Sequence, residues 1–326
     1  MSSKEPSNST NPFTIESLKE ICTANGFELF GITKTELKPQ DRNNISEWID
    51  KKYYGNMKWF PERKNLLLDF QNLGFEPKSA IVLGKLYLTA DSEPISKKFP
   101  FHWSKYALGK DYHKVLREKG SAVLQFLRQT LPNFSFRQTV DSVPIPEKVL
   151  GSYAGIGWIG KNTMLINETY GSFFFLSTIL SNFDFTTFHE SIAGVDRCGT
   201  CRKCLDACPT GALFEEYKID ANLCISHSTI EDKTINPKLD HHGWAYGCDI
   251  CQDVCPWNTG KRKDRMLTNE KDFEPLGVFQ KNTLEFLNVS ESEFTSAFQD
   301  SAVQRISFEK FQNNLSRAVS KKNLDS

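Results

Sequence analysis

Apolar residues recur at helical spacing near the start of the chain and then give way to short β-rich runs. Ile15, Leu18 and Cys22 lie three or four positions apart, which predicts an amphipathic helix ending near Gly26. The apolar run over residues 27–33 then predicts a strand. A helix packed against a strand is therefore expected at the start of the fold.

Three later apolar runs predict strands at 79–88, 134–140 and 172–180. Between the first two of these runs, apolar residues from Val115 to Leu127 follow helical spacing. Helices and strands are thus interspersed over roughly the first 190 positions, which favours a layered α/β or α+β domain. We expect the α+β class, followed by a cysteine-rich unit and a short helical tail.

Cysteines replace the regular apolar pattern in the second half of the chain. The first group reads C-x2-C-x2-C-x3-C-P, and the second repeats C-x2-C-x3-C-P with its leading cysteine moved upstream. A proline after the last cysteine of each group stops regular secondary structure there. Eight of the nine cysteines belong to this doubled motif: Cys198, Cys201, Cys204, Cys208, Cys224, Cys248, Cys251 and Cys255.

The spacing of the first group is that of bacterial ferredoxins, in which three cysteines hold one [4Fe–4S] cluster and the fourth binds the other cluster. The doubled motif therefore predicts two clusters with crossed ligation. One predicted ligand set is Cys198, Cys201, Cys204 and Cys255. The other predicted ligand set is Cys208, Cys224, Cys248 and Cys251.

Two other uses of cysteine fit this pattern less well. Structural zinc prefers two C-x2-C pairs separated by a longer loop, so a third cysteine at the same short spacing is out of place. A disulfide framework is typical of small secreted chains, whereas this chain has 326 residues and no secretory signal. The iron–sulfur interpretation is therefore preferred.

Composition limits the class of protein further. Hydrophobic residues make up 39% of the chain, enough for a real core, but no apolar run could span a bilayer. The formal net charge is zero, which argues against nonspecific nucleic-acid binding over the whole surface, though a local basic face is compatible with it. Residues 1–12 predict a flexible polar tail, and the thiolate-rich motif predicts a reducing cytoplasmic location.

Two stretches outside the cysteines carry candidate chemistry. Asp141 follows a predicted strand, where an aspartate before serine is more often a turn cap than a general acid in a pocket. Gly155, Gly157 and Gly160 have the order G-x-G-x-x-G, but they follow a predicted helix instead of a first strand. They predict a tight turn beneath a cofactor or substrate.

A loop insertion separates Cys224 from Cys248 and is predicted to bring polar residues near the second cluster, facing a bound partner molecule. His241 and His242 lie within it, and adjacent histidines on a loop are expected to be exposed. A short basic run follows at residues 261–265. It is either a solvated linker or a set of phosphate contacts.

Four longer stretches make the chain similar to the epoxyqueuosine reductase family, iron–sulfur and cobalamin enzymes that complete queuosine in tRNA. They are Tyr106-Ala-Leu-Gly-Lys-Asp-Tyr-His-Lys-Val-Leu116, Val140-Asp-Ser-Val-Pro-Ile-Pro-Glu147, Ala154-Gly-Ile-Gly-Trp-Ile-Gly-Lys-Asn162 and Tyr246-Gly-Cys-Asp-Ile-Cys-Gln-Asp-Val-Cys-Pro-Trp-Asn258. Gly171-Ser172 and Cys224-Ile-Ser226 add to the resemblance. It extends from about Leu18 to Arg317.

The resemblance implies a domain order. A nitroreductase-like, cobalamin-binding catalytic domain is expected at 13–189, and a ferredoxin-type domain with two [4Fe–4S] clusters at 190–265. A helical C-terminal extension without helical repeats is expected at 266–326. Many family members carry such repeats to grip tRNA, so their absence here increases the importance of the basic run.

The resemblance also implies roles for single residues. The family's catalytic acid corresponds to Asp141, which replaces the turn-cap interpretation. No D-x-H-x-x-G signature is present, so a histidine ligand to cobalt is not expected. The expected cobalamin contacts are Arg63, Ser104, Asp141, Leu165, Leu176, Ser226, Cys248 and Asp249. The expected tRNA contacts are Glu231, Lys261, Arg262 and Lys263.

The implied reaction is the final step of queuosine biosynthesis. An unidentified low-potential donor would pass electrons through the clusters to reach the cob(I)alamin level, and Asp141 would protonate the oxygen leaving epoxyqueuosine at the tRNA wobble position. A monomer with no membrane partner is expected. Two alternatives stay open: a reductive dehalogenase-like enzyme acting on a small organohalide, and a plain electron carrier.

Overall fold

The structure is a computed structural model that describes residues 13–70, 73–189, 191–233 and 238–319. The predicted tail at 1–12 lies outside the described residues. The strands are β1 (Leu29–Lys34), β2 (Ser79–Leu86), β3 (His102–Trp103), β4 (Phe136–Thr139), β5 (Trp158–Ile159), β6 (Leu165–Ile166), β7 (Phe174–Ser181) and β8 (Trp244–Tyr246).

Helices connect and cover these strands. The α-helices are α1 (Ile15–Ala24), α2 (Pro39–Asp50), α3 (Trp59–Glu62), α4 (Lys64–Leu68), α5 (Ser92–Ser96), α6 (Tyr112–Thr130), α7 (Glu147–Tyr153), α8 (Lys203–Asp206), α9 (Ile225–Ile230), α10 (Ile250–Asp253), α11 (Thr283–Leu287), α12 (Glu291–Ala297) and α13 (Phe308–Val319). Short 3-10 turns lie between them. None of the helices in the described ranges is long and apolar enough to cross a membrane.

The central sheet has the strand order β1-β2-β7-β4, and every neighbouring pair is antiparallel. Ile81 of β2 lies opposite Ile32 on one side and Ile179 on the other, and all three are fully buried. Both faces of the sheet are covered, so the middle strands are apolar along their whole length. The antiparallel sheet with interspersed helices confirms the predicted α+β class.

The two faces of the sheet bury different sets of residues because successive side chains of a strand point in opposite directions. On one face, Ile81 and Leu83 pack with residues of α1 and α6, including the predicted buried Cys22. On the other face, Ala80 and Val82 pack with residues of α7. Residues from both faces contribute to the candidate site described below.

A second hydrophobic core lies beside the sheet and is built mainly from aromatic rings. It joins residues 99–108, residues 245–246 and helices of the C-terminal extension. Trp103 of β3 stacks near Tyr246 of β8 with ring centroids 5.7 Å apart, and the two strands pair in parallel. The helical C-terminal extension is therefore packed into the body of the protein. The domain boundaries at 189 and 265 stay predictions.

In its described residues, the insertion between Cys224 and Cys248 has regular structure. The expectation that both histidines are exposed is wrong for His241, whereas His242 is exposed. The insertion contains α9 and β8, and β8 is held between β3 and α13. His241 is buried, with its Nε2 atom 3.1 Å from the Ser228 hydroxyl, and burial lowers its pKa to about 4. The apolar Trp244-Ala-Tyr246 segment completes the second core, which explains why the neighbouring His241 is buried.

We expect Phe298→Ala to destabilise the protein strongly. Phe298 is fully buried among the rings of Trp103, Phe279 and Phe311, so truncation leaves a cavity. The free energy of unfolding should fall by about 3–5 kcal/mol. Urea denaturation of the protein measures it. Ile192→Ala, at a side chain 89% exposed, is the control and should change stability by less than about 0.5 kcal/mol. A similar small change for Phe298→Ala would contradict this account of the second core.

Candidate functional site

Four cysteines line one cavity of about 260 Å³. Three belong to the first cysteine group and one closes the second group, so the cavity brings together residues far apart in sequence. Its cysteine lining is Cys198, Cys201, Cys204 and Cys255. These are the members of the first crossed ligand set predicted from the motif.

The other four cysteines interact electrostatically with one another. The pKa of Cys248 is raised by burial and further by the nearby charges of Cys224 and Cys208. Burial also raises the pKa of Cys251 well above its usual value, and Cys248 and Cys224 add to the effect. Cys204 acts on Cys251 as well, so the two groups of cysteines adjoin each other.

The donor chemistry of the cavity fits an iron–sulfur cluster. Within the described ranges, no three His, Cys, Asp or Glu side chains are grouped as a single metal ion would require. The sulfurs surround a volume instead, which a multi-iron cluster would fill. Burial raises the pKa of Cys255 to about 11, so its thiol stays protonated unless a cation compensates. Iron supplies that compensation when thiolates bind it.

Trp158 also fits a cluster in this cavity. Its side chain is buried at 3% exposure, and its indole Nε1 has no hydrogen-bond acceptor among the described residues. Burial raises the pKa of Cys198, whereas the Trp158 N–H faces this sulfur and favours its thiolate. A buried donor pointed at a cluster ligand is one of the means by which proteins tune such centres.

The glycine-rich stretch packs backbone against backbone beside this cavity. A Cβ atom on Gly194 would lie 1.8 Å from the carbonyl oxygen of Gly157. Only a glycine at position 194 therefore lets these two segments pack this closely. Lys161, in the same stretch, is buried and donates to the Gly199 carbonyl at 2.6 Å and to Glu216 Oε1 at 2.8 Å. The stretch therefore fastens the sheet domain to the cysteine loop.

Asp249 links the second cysteine group to the 103–105 segment. It is 1% exposed and accepts hydrogen bonds from the Ser104 hydroxyl and, at 2.8 Å, from the Lys105 backbone N–H. The Lys105 ammonium lies 3.6 Å from Asp249 Oδ2 and 2.6 Å from Asp253 Oδ1. Burial opposes the charge on Lys105, but the two carboxylates outweigh it and raise its pKa.

Asp141 lies two residues after the end of β4 and has an unusual backbone, with φ at +48°. The Tyr112 hydroxyl donates to Asp141 Oδ2 at 2.8 Å, and His113 Nε2 lies 3.9 Å from the same oxygen. The Tyr112 ring stacks on Phe175 with centroids 4.2 Å apart and planes 6° apart, which fixes its hydroxyl. Asp141 itself keeps 63% of its side chain accessible.

Glu147, at the first turn of α7, lies behind Asp141. Its Oε2 accepts the Asp141 backbone N–H at 3.1 Å, and its Oε1 accepts the Thr139 hydroxyl at 2.6 Å. Burial raises the pKa of Glu147 to about 8, and the negative charge of Asp141 adds to this shift.

Lys148 interacts electrostatically with both Asp141 and the second cysteine group. The charges of Asp141 and Cys251 act on it, and desolvation by the surrounding protein lowers its pKa. Leu165 and Leu176 pack in the hydrophobic cluster beneath α7. Apolar leucines and charged groups are both kinds of side chain that a large amphipathic cofactor would contact.

The other predicted cobalamin contacts differ in how far they are exposed. Arg63 is exposed at the end of α3, and Ser226 is partly buried in α9. Ser104, Leu165 and Asp249 are buried. Whether these side chains touch a cofactor stays a prediction.

The predicted tRNA contacts have protein partners. Glu231 Oε1 lies 2.8 Å from Arg305 Nη2, and Lys263 Nζ lies 2.9 Å from Glu93 Oε2. Arg262 stacks over the Trp257 ring at 4.6 Å and lines the first cysteine cavity. The side chain of Lys261 lies outside the described part of the chain. The structure thus brings Arg262 to the cysteines and not to Asp141.

Sequence reasoning missed several residues of the acid site. Tyr112 and Glu147 lie inside stretches that carry the family resemblance, and that membership was a usable signal. Lys148 follows Glu147 directly. Arg305 had no local signal, since it comes from the C-terminal extension. Its charge nevertheless acts on Asp141, Tyr106 and Tyr112.

Comparison with known proteins agrees with this geometry. A family model described as "4Fe-4S double cluster binding domain" matches residues 197–258, so the chain is an iron–sulfur protein. A second model, "Epoxyqueuosine reductase QueG, DUF1730", matches residues 68–142. The epoxyqueuosine reductase of Cyclobacterium marinum is 34% identical over 301 residues, covering 91% of this chain and 94% of that one. The chain belongs to the epoxyqueuosine reductase family and is an oxidoreductase.

Solved structures show the same fold. Epoxyqueuosine reductase from Bacillus subtilis, with its aspartate-bearing catalytic loop swung out of the active site, has a TM-score of 0.80 and 26% identity, covering 94% of this chain and 81% of that one. An epoxyqueuosine reductase with an epoxyqueuosine-modified tRNA-Tyr stem loop has a TM-score of 0.78 and 27% identity, with the same coverage. The predicted mixed fold with a cluster-binding domain is confirmed at this level.

We expect Asp249→Ala to lower the free energy of unfolding by about 3–5 kcal/mol, because it leaves a buried ammonium and two donors with fewer acceptors. Urea denaturation of the anaerobic protein measures the change. Asp253→Ala removes the more exposed carboxylate that also binds Lys105 and should cost about 1 kcal/mol or less. Equal effects of the two substitutions would contradict the central place of Asp249.

Proposed function

We propose that this protein reduces epoxyqueuosine to queuosine at the wobble position of tRNA. The observation that carries the proposal is the accessible Asp141 carboxyl, which accepts the Tyr112 hydroxyl at 2.8 Å. The charges of Asp141 and Cys251 both act on Lys148, so this candidate proton donor and the second cysteine group share an electrostatic partner. The family of the chain and the tRNA stem loop on one relative support the same activity.

Two [4Fe–4S] clusters and cobalamin are the cofactors we infer. The cavity of Cys198, Cys201, Cys204 and Cys255 would hold one cluster, and the Cys208, Cys224, Cys248 and Cys251 group the other. Leu165, Leu176 and Asp141 are among the residues that would hold cobalamin, in the nitroreductase-like domain inferred from the resemblance. When bound, it supplies the low-potential, two-electron chemistry that the side chains cannot supply.

The overall reaction defines what the protein's own residues must do. Opening the epoxide and restoring the ring double bond consumes two electrons and two protons and releases the oxygen as water. Asp141 is placed to give a proton to that oxygen, and Tyr112 orients it through Oδ2. His113, whose Nδ1 lies 2.7 Å from Asp111, presents Nε2 toward Asp141 and can return a proton to it.

The tRNA side of the site is inferred to include Arg305 and Glu231. Their ion pair is half-exposed, and the charge of Arg305 acts on Asp141 and Tyr112. An arginine at that position can pair with an RNA phosphate in place of Glu231. Lys261, Arg262 and Lys263 stay predicted tRNA contacts. A low-potential electron donor, a monomeric state and a cytoplasmic location also stay predictions.

The alternatives are less well supported. A plain electron carrier needs neither a positioned acid nor the sheet domain that carries it. A reductive dehalogenase-like activity on a small organohalide would use the same cofactors, but nothing in the described residues favours it over the tRNA substrate. Assaying modified tRNA against halogenated phenols separates these activities.

Asp141→Asn should lower the rate of queuosine formation by roughly 100- to 10,000-fold, the range for a lost general acid. Asparagine keeps the shape of the side chain and an acceptor for the Tyr112 hydroxyl, so cofactor content should be unchanged. The assay is nucleoside analysis of epoxyqueuosine-tRNA after incubation with the reduced protein. Ser142→Ala, at the exposed neighbour, is the matched control.

Two results would count against the proposal. If the natural chain with its full cofactor content left epoxyqueuosine unchanged, the tRNA activity would be refuted. If Asp141→Asn turned over at the normal rate, Asp141 would have no part in the proton transfer, although the reductase activity itself would stand.

Crossed ligation can be tested with paired cysteine substitutions. Cys198→Ala with Cys255→Ala should remove ligands from one cluster only, so iron should fall from about eight to about four atoms per chain. Cys198→Ala with Cys248→Ala should damage both clusters and remove nearly all iron. Iron and sulfide analysis after anaerobic purification measures both. Cys22→Ala, at a buried cysteine of α1, is the control and should keep full iron.

The uncrossed arrangement makes a different prediction. If each cysteine group bound its own cluster, the Cys198 and Cys255 pair would fall in different clusters and that double variant would lose nearly all iron.

A further inference from the structure

We propose that Glu147 is a positioning residue that holds the backbone of Asp141 in its working conformation. This inference rests on the proposed function, because it concerns the acid assigned there. The two carboxyl oxygens of Glu147 contact the chain on either side of Val140.

Asp141 needs such a support because its backbone is strained. A φ of +48° lies in the left-handed region, which residues with a side chain seldom adopt. Conformations of this kind persist at functional sites only when surrounding contacts impose them. The side chain of Asp141 is largely accessible, and the bond from Tyr112 reaches only its carboxylate. The backbone N–H is the group through which the loop itself can be fixed.

Glu147 supplies that fixation from a rigid element. It begins α7, which packs across β1, β2 and β7 of the central sheet. Its Oε2 accepts the Asp141 N–H at 3.1 Å, while its Oε1 bonds the hydroxyl of Thr139, the last residue of β4. One carboxyl group thus ties the end of the strand and the start of the loop to the same helix.

A glutamine can keep both contacts because Thr139 has a second acceptor. Glu147 accepts the Thr139 hydroxyl, and that hydroxyl also lies 3.3 Å from the Thr178 carbonyl oxygen. A glutamine at position 147 can turn its amide N–H₂ toward Thr139 Oγ1, which then donates to Thr178, while its carbonyl accepts the Asp141 N–H. Alanine can make neither.

The test compares Glu147→Gln with Glu147→Ala in the cofactor-loaded protein. Glu147→Ala should lower kcat for epoxyqueuosine-tRNA by about 100-fold, the effect of misplacing a catalytic group by about 1 Å, with KM nearly unchanged. Glu147→Gln should stay within a few-fold of the natural chain. Crystal structures of both variants should show Asp141 displaced in the alanine variant only.

Thr139→Val provides a second variant should the alanine variant fold poorly. It removes the hydroxyl between Glu147 and the strand and keeps the shape of the side chain, so kcat should fall by an intermediate amount. Glu118→Ala, at an exposed position of α6, is the control and should leave kcat unchanged.

Normal kcat in Glu147→Ala with Asp141 in place would overturn the inference, as would equal losses in the glutamine and alanine variants. Failure of the proposed function looks different. In that case the natural chain would not convert epoxyqueuosine, or Asp141→Asn would be fully active, whatever the behaviour of Glu147.

Discussion

Gathering eight thiolates in a protein interior is the constraint on which the rest of this structure depends. Burial raises the pKa of thiols such as Cys251 and Cys255, so without compensating positive charge they stay protonated and cannot act as ligands. Iron supplies the charge, but only if the chain holds the sulfurs around a cavity of the right size. Short spacings place three cysteines of the first cavity close together, and Cys255 joins them from the other half of the motif.

The rest of the protein holds the two cysteine groups in place through contacts on several sides. Lys161 fastens the glycine-rich stretch to the first cysteine loop, and Asp249 fastens the second group to the segment after β3. The C-terminal helices and β8 then enclose an aromatic core with Trp103. The charges of Asp141 and Cys251 both act on Lys148, so the candidate acid and the second cysteine group are linked electrostatically.

Local signals in the sequence predicted the central sheet, the long helix α6 and the grouping of Cys198, Cys201, Cys204 and Cys255, because each depends on spacing or periodicity. The burial of His241 was not predictable, since it depends on β8 pairing with the distant β3. Arg305 was missed for the same reason. The sequence spacing alone favoured a turn-capping role for Asp141. Its neighbours Tyr112 and Glu147 give it a chemical setting only in three dimensions.

The most direct test of this account is an anomalous-scattering map at the iron edge from crystals of the anaerobically purified protein. It should show two separate iron clusters, one inside the cavity of Cys198, Cys201, Cys204 and Cys255 and one among Cys208, Cys224, Cys248 and Cys251. A single zinc ion bound by four of these cysteines, with no iron signal, would contradict the account.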